Sequence, residues 1–378
     1  NSSGPLLGQE LWGFIPYQLL PQLQWLTRTD YTHVYYVDLK PKVTDARIFT
    51  PDADHPNGWG TILIGGFRMG GSCGACVAST GGPTMTVTAD FGSGTQTRTF
   101  YTAYFVLDIT NPDVDPKLLW VFTDSSLGLS TSYPGVLRVN PSGDAKADNT
   151  NAKWLMLVGT GPTGYDASSA QTGKIFAINL ATGPGAGNSL VSAFPTSDAN
   201  SFMGDLSSVD VDLDYRVDAV YLGNVISNGN NTPSWIGKLY RLTTGTTAPF
   251  GGQTTLTSWG FSQQPTVLLA DFACTPSPCT GANKVGPIPT APTVTADDAS
   301  KIWLFWGTGR YYSTTDKTNA DTQHFFGVKD PVVTGACTQS SITSCEKKNL
   351  LDVSNAVVCQ TCAAGTDQVT GVTGATTF

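Results

Sequence analysis

The chain has 378 residues and a formal net charge of −8, with 21 Lys and Arg against 29 Asp and Glu. This acidic balance argues against nucleic-acid binding, because phosphates are recognised by clustered Lys and Arg. No apolar run approaches the roughly 20 residues that a membrane helix needs. Apolar residues make up 40% of the chain, charged residues 13%, and glycine and proline number 41 and 23. A packed core with many turns is therefore expected, rather than disorder or long helices.

The first segment, residues 1–40, predicts a partial structural unit with short helices. Residues 9–26 carry Leu and other large apolar side chains at helical spacing, interrupted by Pro16 and Pro21. Because proline removes a backbone donor and crowds the preceding turn, one or two short helices packed on a sheet are expected. The chain starts at Asn1 without an initiator methionine or a signal peptide, so we expect a mature or excised part of a longer protein.

Residues 41–334 contain a repeated pattern. A short apolar strand that ends in glycine recurs at 61–66, 154–161, 219–223 and 302–309. Each copy is preceded by a strand, at 43–49, 135–140, 206–212 and 266–272, and followed by another, at 104–108, 174–179, 238–242 and 324–328.

The pattern of apolar residues assigns these strands to stacked sheets. The glycine-ended strands are nearly continuous in apolar residues, which indicates burial on both faces. Their partner strands alternate more and are expected to be half-exposed. The fold class is therefore all-β, with four recognisable blades of a β-propeller and irregular insertions. A pair of β-sandwiches is the alternative, but the repeat crosses the centre of the chain without a linker.

The eight cysteines form four close pairs: Cys73/Cys76, Cys274/Cys279, Cys337/Cys345 and Cys359/Cys362. Local disulfides in an exported protein are the favoured interpretation, with a zinc site or free thiols as alternatives. The last pairs lie in a Cys-containing extension over residues 335–378, which has a Thr- and Gly-rich end.

The strongest chemical signal is an acidic loop. Aspartates stand at 210, 212, 214 and 218, immediately before an apolar strand. Hard cations such as Ca²⁺ take six to eight oxygen ligands, and a tight loop can turn alternate side chains towards one centre. The predicted ligands are Asp210, Asp212, Asp214, Asp218 and the backbone carbonyl of Arg216. A solvated acidic turn is the alternative, but four such close carboxylates repel one another without a counter-ion.

Two departures separate this loop from an EF-hand. Tyr215 occupies the position where glycine usually makes the sharp turn, and Tyr221 stands where a bidentate glutamate is expected. A second, weaker cluster contains Asp52, Asp54 and Asn57; these residues also make ordinary turns, and a turn is the favoured interpretation.

Catalytic signals are weak. His33, His55 and His324 do not stand in a recognisable nucleophile–base pattern, and His324 is expected to be structural. The Gly-Thr-Gly segments at 159–161 and 307–309 are interpreted as strand ends rather than phosphate loops. No catalytic residue is predicted.

Together these segments resemble the C-terminal β-propeller of the PilC/PilY family of type IV pilus biogenesis proteins and tip-associated adhesins. The resemblance spans roughly residues 9–330. Its motifs are 10–12, 15–16, 19–21, 35–38, 63–66, 104–112, 210–218, 305–311 and 321–328.

The resemblance implies a single modified propeller of seven blades over residues 1–378, on the cell surface or at the pilus tip. It implies a Ca²⁺ loop whose occupancy controls whether the protein opposes pilus retraction, and hence twitching motility. The implied partners are pilins and minor pilins, with a host or abiotic surface as a further ligand. Full-length members carry an additional N-terminal region, often with a von Willebrand A-type module, which this chain lacks. No Arg-Gly-Asp tripeptide occurs, so integrin binding is not expected.

Two alternatives remain at this stage. A quinoprotein dehydrogenase also combines a propeller with Ca²⁺, but such enzymes often carry adjacent cysteines, and this chain has no Cys-Cys pair. A secreted glycan-binding module unrelated to pili is the other.

Overall fold

The computed structural model describes most of the first 330 residues and a few short segments beyond them. The described residues are 8–74, 76, 85–139, 152–211, 213–229, 231, 233–243, 265–275, 283–297, 302–330, 349–351, 357–358 and 369–370. Within these ranges the chain forms β-strands and four short 3₁₀ helices, at Tyr17–Thr27, Pro56–Gly58, Ala186–Asn188 and Thr314–Thr318. The all-β class is confirmed. Among these described residues, no helix has the length and apolar character needed to cross a membrane.

Four antiparallel sheets follow one another along the chain. The first contains β1 (Lys42–Arg47), β2 (Trp59–Gly66), β5 (Tyr104–Asp108) and β6 (Lys117–Phe122), with the hairpin β3 (Met85–Asp90) and β4 (Thr95–Phe100) inserted before β5. The second contains β7 (Gly135–Val139), β8 (Lys153–Gly159), β9 (Lys174–Asn179) and β10 (Ser192–Pro195). The third contains β11 (Ser201–Val209), β12 (Ala219–Ser227), β13 (Trp235–Ile236), β14 (Leu239–Thr243) and β15 (Thr266–Leu269).

The remaining strands form one further sheet of the repeat and two smaller assemblies. The fourth sheet contains β18 (Thr293–Ala296), β19 (Ile302–Gly307) and β20 (Phe325–Lys329). A smaller sheet joins β16 (Asp271–Thr275), β17 (Asn283–Lys284) and β21 (Asn349–Leu351), and a separate pair joins β22 (Val357–Val358) and β23 (Val369–Thr370).

The core lies between the faces of successive sheets. Ile64 of the first sheet packs with Val158 of the second in one buried cluster. Leu157 of the second packs with Leu222 of the third in the next cluster. Tyr221 of the third shares a cluster with the fourth sheet. Each inner sheet therefore has a neighbour on both faces, which is a propeller-like arrangement.

The glycines that end the predicted strands have a packing role. A Cβ at Gly159 would lie 2.3 Å from the Cβ of Met203, and a Cβ at Gly223 would lie 2.2 Å from the Cβ of Ile288. Real Cβ atoms do not approach so closely, so a larger residue would push neighbouring segments apart. The recurring glycine marks places where two segments meet at backbone distance.

The N-terminal segment behaves as predicted. The 3₁₀ helix contains Pro21, and Leu19 is buried at 2% exposure. Phe14 packs on Phe105 of β5, with ring centroids 5.1 Å apart. The short helix thereby covers the outer face of the first sheet.

Two predictions about strands are wrong. The strands that follow the glycine-ended strands were expected to be half-exposed, but β5, β9 and β14 are almost wholly buried. They are inner strands of their sheets. β9 and β14 lie between neighbouring sheets, and the N-terminal segment covers the outer face of β5. Among the following strands only β20 alternates, whereas the preceding strands β1 and β7 alternate as predicted. Residues 266–272 do not form the first strand of the fourth sheet, because Thr266–Leu269 pairs with β14. The first strand is β18, whose sequence Thr-Val-Thr-Ala has too few apolar residues to be recognised.

One predicted cysteine pair is confirmed. Cys73 and Cys76 form a disulfide, with Cα atoms 5.0 Å apart. Cys279, Cys337, Cys345, Cys359 and Cys362 lie outside the described residues, as does the side chain of Cys274.

Strand direction separates two ends of the sheets. The loop between β1 and β2 and the loop between β11 and β12 both join a first strand to a second, so they occupy equivalent ends of the first and third sheets. The loop between β5 and β6 lies at that same end of the first sheet. We call this end the acidic end, because aspartates concentrate in these three loops and at their borders. These aspartates lie at 52, 54, 108, 113, 115 and within 210–218.

A buried charge pair connects the third and fourth sheets. Asp330, immediately after β20, is fully buried and accepts from the Arg241 guanidinium at 2.5 Å and from the Tyr221 hydroxyl at 2.7 Å. Arg241 and Tyr221 lie on β14 and β12 of the third sheet. Burial, followed by the adjacent Asp330 carboxylate, raises the pKa of Tyr221 well above its usual value, so the hydroxyl remains a donor.

Replacing Asp330 tests whether this contact ties the two sheets together. Asp330→Asn leaves the Arg241 charge buried without its counter-charge, and should lower the free energy of unfolding by about 3 kcal/mol. Tyr221→Phe removes one hydrogen bond and should cost about 1 kcal/mol. Chemical denaturation measures both. The matched control is Asp115→Asn, an exposed aspartate, expected to change stability by less than about 0.5 kcal/mol. Equal changes in the free energy of unfolding at Asp330 and Asp115 would contradict the proposed role of Asp330 in joining the two sheets.

Candidate functional site: the aspartate loop at the acidic end

The predicted calcium loop is the hairpin connection between β11 and β12. β11 ends at Val209 and β12 begins at Ala219, and these two residues are register partners. The Asp218 N–H donates to the Val209 carbonyl at 2.9 Å and closes the loop at its base. The side chains of Val211 and Val217 pack against two different core clusters, so the loop is anchored on both sides of the third sheet.

The described carboxylates fold back over the loop. Asp210 accepts from the N–H of Asp214 at 3.0 Å and from the N–H of Tyr215 at 2.7 Å, using both oxygens. Asp218, only 2% exposed, accepts from the N–H of Val211 at 2.7 Å. The two aspartates at the ends of the loop therefore hold its backbone in a closed turn.

The sharp turn is made without glycine. Leu213 and Tyr215 have φ values of 59° and 65°, in the left-handed region, which costs a residue with a Cβ about 1–2 kcal/mol. Tyr215 thus adopts a left-handed conformation at the position where an EF-hand has glycine. Arg138 of the second sheet supports it: its guanidinium donates to the Tyr215 carbonyl, and its own carbonyl accepts from Val217.

Arg216 has a side-chain role that sequence reasoning missed. Its guanidinium lies 3.0 Å from Asp214 Oδ2, and both side chains are largely buried. The Arg216 N–H also donates to Asp214 Oδ1 at 2.8 Å. Among the described residues, however, Arg216 Nε is buried without a hydrogen-bond partner. The hydrogen-bond donors of Arg216 are therefore not all paired within the described residues. A buried donor without a partner costs about 1–3 kcal/mol.

These residues fit a hard cation in donor chemistry, with one competitor. Asp210, Asp214 and Asp218 offer carboxylate oxygens within one closed loop, whereas Asp212 lies outside the described residues. Within the part of the chain that the structure describes, no group of three or more His, Cys, Asp or Glu side chains is spaced to hold a metal. A cation at Asp214 would compete with the Arg216 guanidinium. The calcium site stays a prediction.

The second acidic cluster forms a turn around His55. Asp52 Oδ1 accepts from the backbone N–H groups of Asp54 and His55, and it lies 2.9 Å from His55 Nδ1. The other ring nitrogen, Nε2, lies 3.0 Å from Oδ2 of Asp108, the last residue of β5. Asn57 takes a left-handed φ of 55° within the turn.

His55 supplies positive charge between two carboxylates. Burial opposes the charged form, but the contacts with Asp52 and Asp108 together raise the pKa of His55 above its usual value. Hydrogen bonding from the His55 N–H lowers the pKa of Asp52. The imidazole ring also stacks on Phe49 at 4.0 Å between centroids. With a carboxylate at each ring nitrogen, the arrangement is an ion-paired clamp between two loops.

The other sequence-predicted positions have structural surroundings. His324 packs edge-on to Phe272, with centroids 4.9 Å apart. Gly159 and Gly307 end β8 and β19, so the Gly-Thr-Gly segments are strand ends, as predicted.

The chain is similar to type IV pilus biogenesis factors. No model of a known protein family matches it. It is 24% identical over 335 residues to a type IV pilus biogenesis factor PilY1 homolog of Xylella fastidiosa, covering 85% of this chain and 20% of the relative. It is 27% identical over 358 residues to PilY1 of Pseudomonas aeruginosa PAO1, covering 88% of this chain and 24% of the relative. The chain spans about a fifth to a quarter of these relatives.

The fold has a solved counterpart. The crystal structure of the Pseudomonas aeruginosa PilY1 C-terminal domain matches 85% of this chain and 54% of that chain, with a TM-score of 0.52 and 19% identity. At this identity the likeness concerns the fold alone. The predicted resemblance is confirmed: the curated homologues are PilY1 type IV pilus biogenesis factors, and the solved fold is that of a PilY1 C-terminal domain.

The His55 clamp predicts a pH-dependent contribution to stability. Because the folded pKa of His55 is raised, its contribution is fully present below the unfolded pKa of about 6.5 and is lost as the pH rises through the folded value. His55→Gln should therefore lower the free energy of unfolding more at about pH 6 than at about pH 9. Denaturation at both pH values measures this. His33→Gln, at an exposed histidine, is the control; a pH-independent effect of His55→Gln would contradict the clamp.

Proposed function

We propose that this chain acts in type IV pilus biogenesis at the cell surface, as a calcium-dependent factor that opposes pilus retraction. The supporting observation is the similarity to PilY1 proteins, which extends over 85–88% of the chain rather than over one motif. A seven-bladed propeller and a location at the pilus tip or outer membrane belong to this proposal. Its proposed partners are pilins and minor pilins, and attachment to a host or abiotic surface is a further proposed role.

The proposed calcium ligands are Asp210, Asp212, Asp214, Asp218 and the Arg216 carbonyl. All are oxygen donors, which is the chemistry that Ca²⁺ requires. A bound Ca²⁺ would supply two positive charges that offset the mutual repulsion of the carboxylates. Asp210 and Asp218 already hold the loop closed through backbone N–H groups, so little rearrangement would be required of them.

Arg216 would link the binding of Ca²⁺ in the loop to the conformation of the loop tip. Its guanidinium neutralises Asp214 in the structure described here. If Asp214 bound Ca²⁺, Arg216 would have to move away, because a guanidinium and a doubly charged cation about 4 Å apart repel by about 8 kcal/mol at an effective dielectric constant of 20. The loop tip exposes Leu213 and Tyr215, at 73% and 72%. We therefore propose that the exchange at Asp214 alters how this apolar tip meets a pilin.

The calcium proposal predicts opposite effects for two substitutions in one loop. Asp212→Ala removes a ligand and should abolish the binding of one Ca²⁺ per chain in isothermal titration calorimetry. Arg216→Gln keeps the carbonyl ligand and removes the competing charge, so it should bind Ca²⁺ at least as tightly as the unchanged protein. Asp113→Ala, at an exposed aspartate of the acidic end, controls for general charge. Unchanged binding in Asp212→Ala would refute the assigned site.

The functional proposal is tested in the bacterium that produces the protein. Asp212→Ala in the chromosomal gene should reduce surface pili and twitching to the level of a deletion, and Asp113→Ala should not. If the loop opposes retraction, removing the retraction motor should restore surface pili in the Asp212→Ala strain. Pili that stay absent would place the loop in assembly instead, and normal piliation with normal twitching would contradict a role in pilus biogenesis.

The homologues are pilus biogenesis factors and are not named as enzymes, so a quinoprotein dehydrogenase lacks a specific supporting observation. A glycan-binding function does have one, and it concerns a different part of the molecule.

A further inference from the structure

A cavity of about 790 Å³ opens at the end of the sheets opposite the acidic end. Its walls come from the connections of four sheets, at residues 38–40, 68, 131, 133, 205, 289–290 and 309–312. We call it the central cavity. Its volume falls within the roughly 300–1,000 Å³ of small-ligand sites, so its size suits a small ligand rather than a protein domain.

One wall of the central cavity carries positive charge beside an aromatic ring. The ammonium group of Lys40, which lines the cavity, lies 5.7 Å from the ring centroid of Tyr133, and that of Lys42, outside the lining, lies 5.2 Å from it. Arg68 contacts Asp38 at 3.2 Å through one guanidinium nitrogen, and its side chain is 48% exposed. These lysines stand out in a chain with a formal net charge of −8. The wall is therefore suited to an anionic group.

The facing wall offers a hydrogen-bond acceptor. Asp205 uses Oδ1 to accept from the N–H of Tyr133 at 2.7 Å. Burial raises the pKa of Asp205, although the Tyr133 hydrogen bond and the Arg68 charge oppose that rise. Oδ2 has no hydrogen-bond donor among the described residues. A carboxyl group so placed can accept from a ligand hydroxyl.

The third wall is a rigid aromatic loop. Arg310 pairs with Asp316 at 3.0 Å, with both side chains 4% exposed, and stacks 3.6 Å from the ring centroid of Trp235. These contacts fix the two following tyrosines at the cavity. Tyr311 is 67% exposed, and Tyr312 packs edge-on to Phe202 at 5.7 Å. Arg310 is thus a positioning residue, and Tyr311 presents a free ring face.

We propose that the central cavity binds a carboxylated saccharide of roughly two or three sugar units. Lys40 and Arg68 would bind the carboxylate, Asp205 would accept from a hydroxyl, and Tyr311 would contact a sugar ring. Mixed donors and acceptors beside aromatic rings match a ligand whose hydroxyls both donate and accept. An acidic peptide is a poorer match because it would need apolar pockets for its side chains. Among the described lining residues, only Leu39 and Pro289 are aliphatic.

The binding test uses trigalacturonic acid and 3′-sialyllactose as the two acidic probes, with maltotriose as the neutral one. The first represents microbial and plant polysaccharides and the second represents host glycans, so the two probes distinguish the sources. Titration calorimetry should detect binding of at least one acidic probe, and the affinity for maltotriose should be at least tenfold weaker. Lys40→Gln should weaken binding by about tenfold, and added salt should weaken it further.

Lys117→Gln is the matched control, because Lys117 is an exposed lysine on β6 outside the cavity. It should bind as the unchanged protein does, and a thermal melt should show that both variants fold. The same titrations on Asp212→Ala in EDTA separate the central cavity from the calcium loop. The acidic probes should still bind to the central cavity when the loop holds no calcium. The proposal is overturned if neither acidic probe binds at millimolar concentration, or if maltotriose binds equally well. It is also overturned if Lys40→Gln binds normally, or if tetraglutamate binds more tightly than both acidic saccharides.

Discussion

Carboxylates that a fold brings close together need a counter-charge, and this electrostatic requirement governs the acidic end of the molecule. The inner sheets bury both faces against their neighbours, so their charged side chains are concentrated at the strand ends and in the loops. In the first sheet the counter-charge is internal, because His55 lies between Asp52 and Asp108. In the third sheet the Arg216 guanidinium pairs with Asp214. His55 thus bridges two carboxylates from two segments, whereas Arg216 contacts a carboxylate of its own loop.

This difference explains why only one of the two loops is a candidate for a cation. The imidazole of His55 uses both nitrogens and fixes its two loops in one arrangement. Arg216 instead has a buried Nε without a described partner, and its guanidinium is the group that a cation at Asp214 would displace. The buried pair of Asp330 and Arg241 joins two sheets, and its Arg241 Nε is likewise buried without a partner among the described residues. Arg216 differs from Arg241 in its position, because it lies in the same loop as the predicted calcium ligands.

The repeated strands could be predicted from sequence because their signal is local. The apolar segments 155–159 of β8 and 219–223 of β12 are buried on both faces, and β12 continues beyond the predicted strand to Ser227. β18 is not recognisable from the sequence because its four residues include only one large apolar side chain, that of Val294, and its pairing with β19 is a tertiary contact. The strand at 266–272 was placed in the wrong sheet for the same reason, since pairing is a long-range property.

The aspartate loop was likewise visible as a local pattern, but long-range contacts elsewhere in the molecule were not. The partnership of His55 with Asp108 spans 53 positions, and the Arg310 contact with the Ala167 carbonyl spans 143. Neither separation leaves a motif in one sequence. The central cavity is the extreme case, because residues from four sheets form its walls. Its chemistry emerges only when the sheets are packed.

The most direct measurement is a crystal structure determined with calcium, using anomalous scattering to locate the ion. The expected result is one calcium peak within the 210–218 loop, bound by Asp210, Asp212, Asp214, Asp218 and the Arg216 carbonyl, with the Arg216 guanidinium displaced from Asp214. A loop without a peak at millimolar calcium, or with Arg216 still paired to Asp214, would contradict a calcium-dependent role.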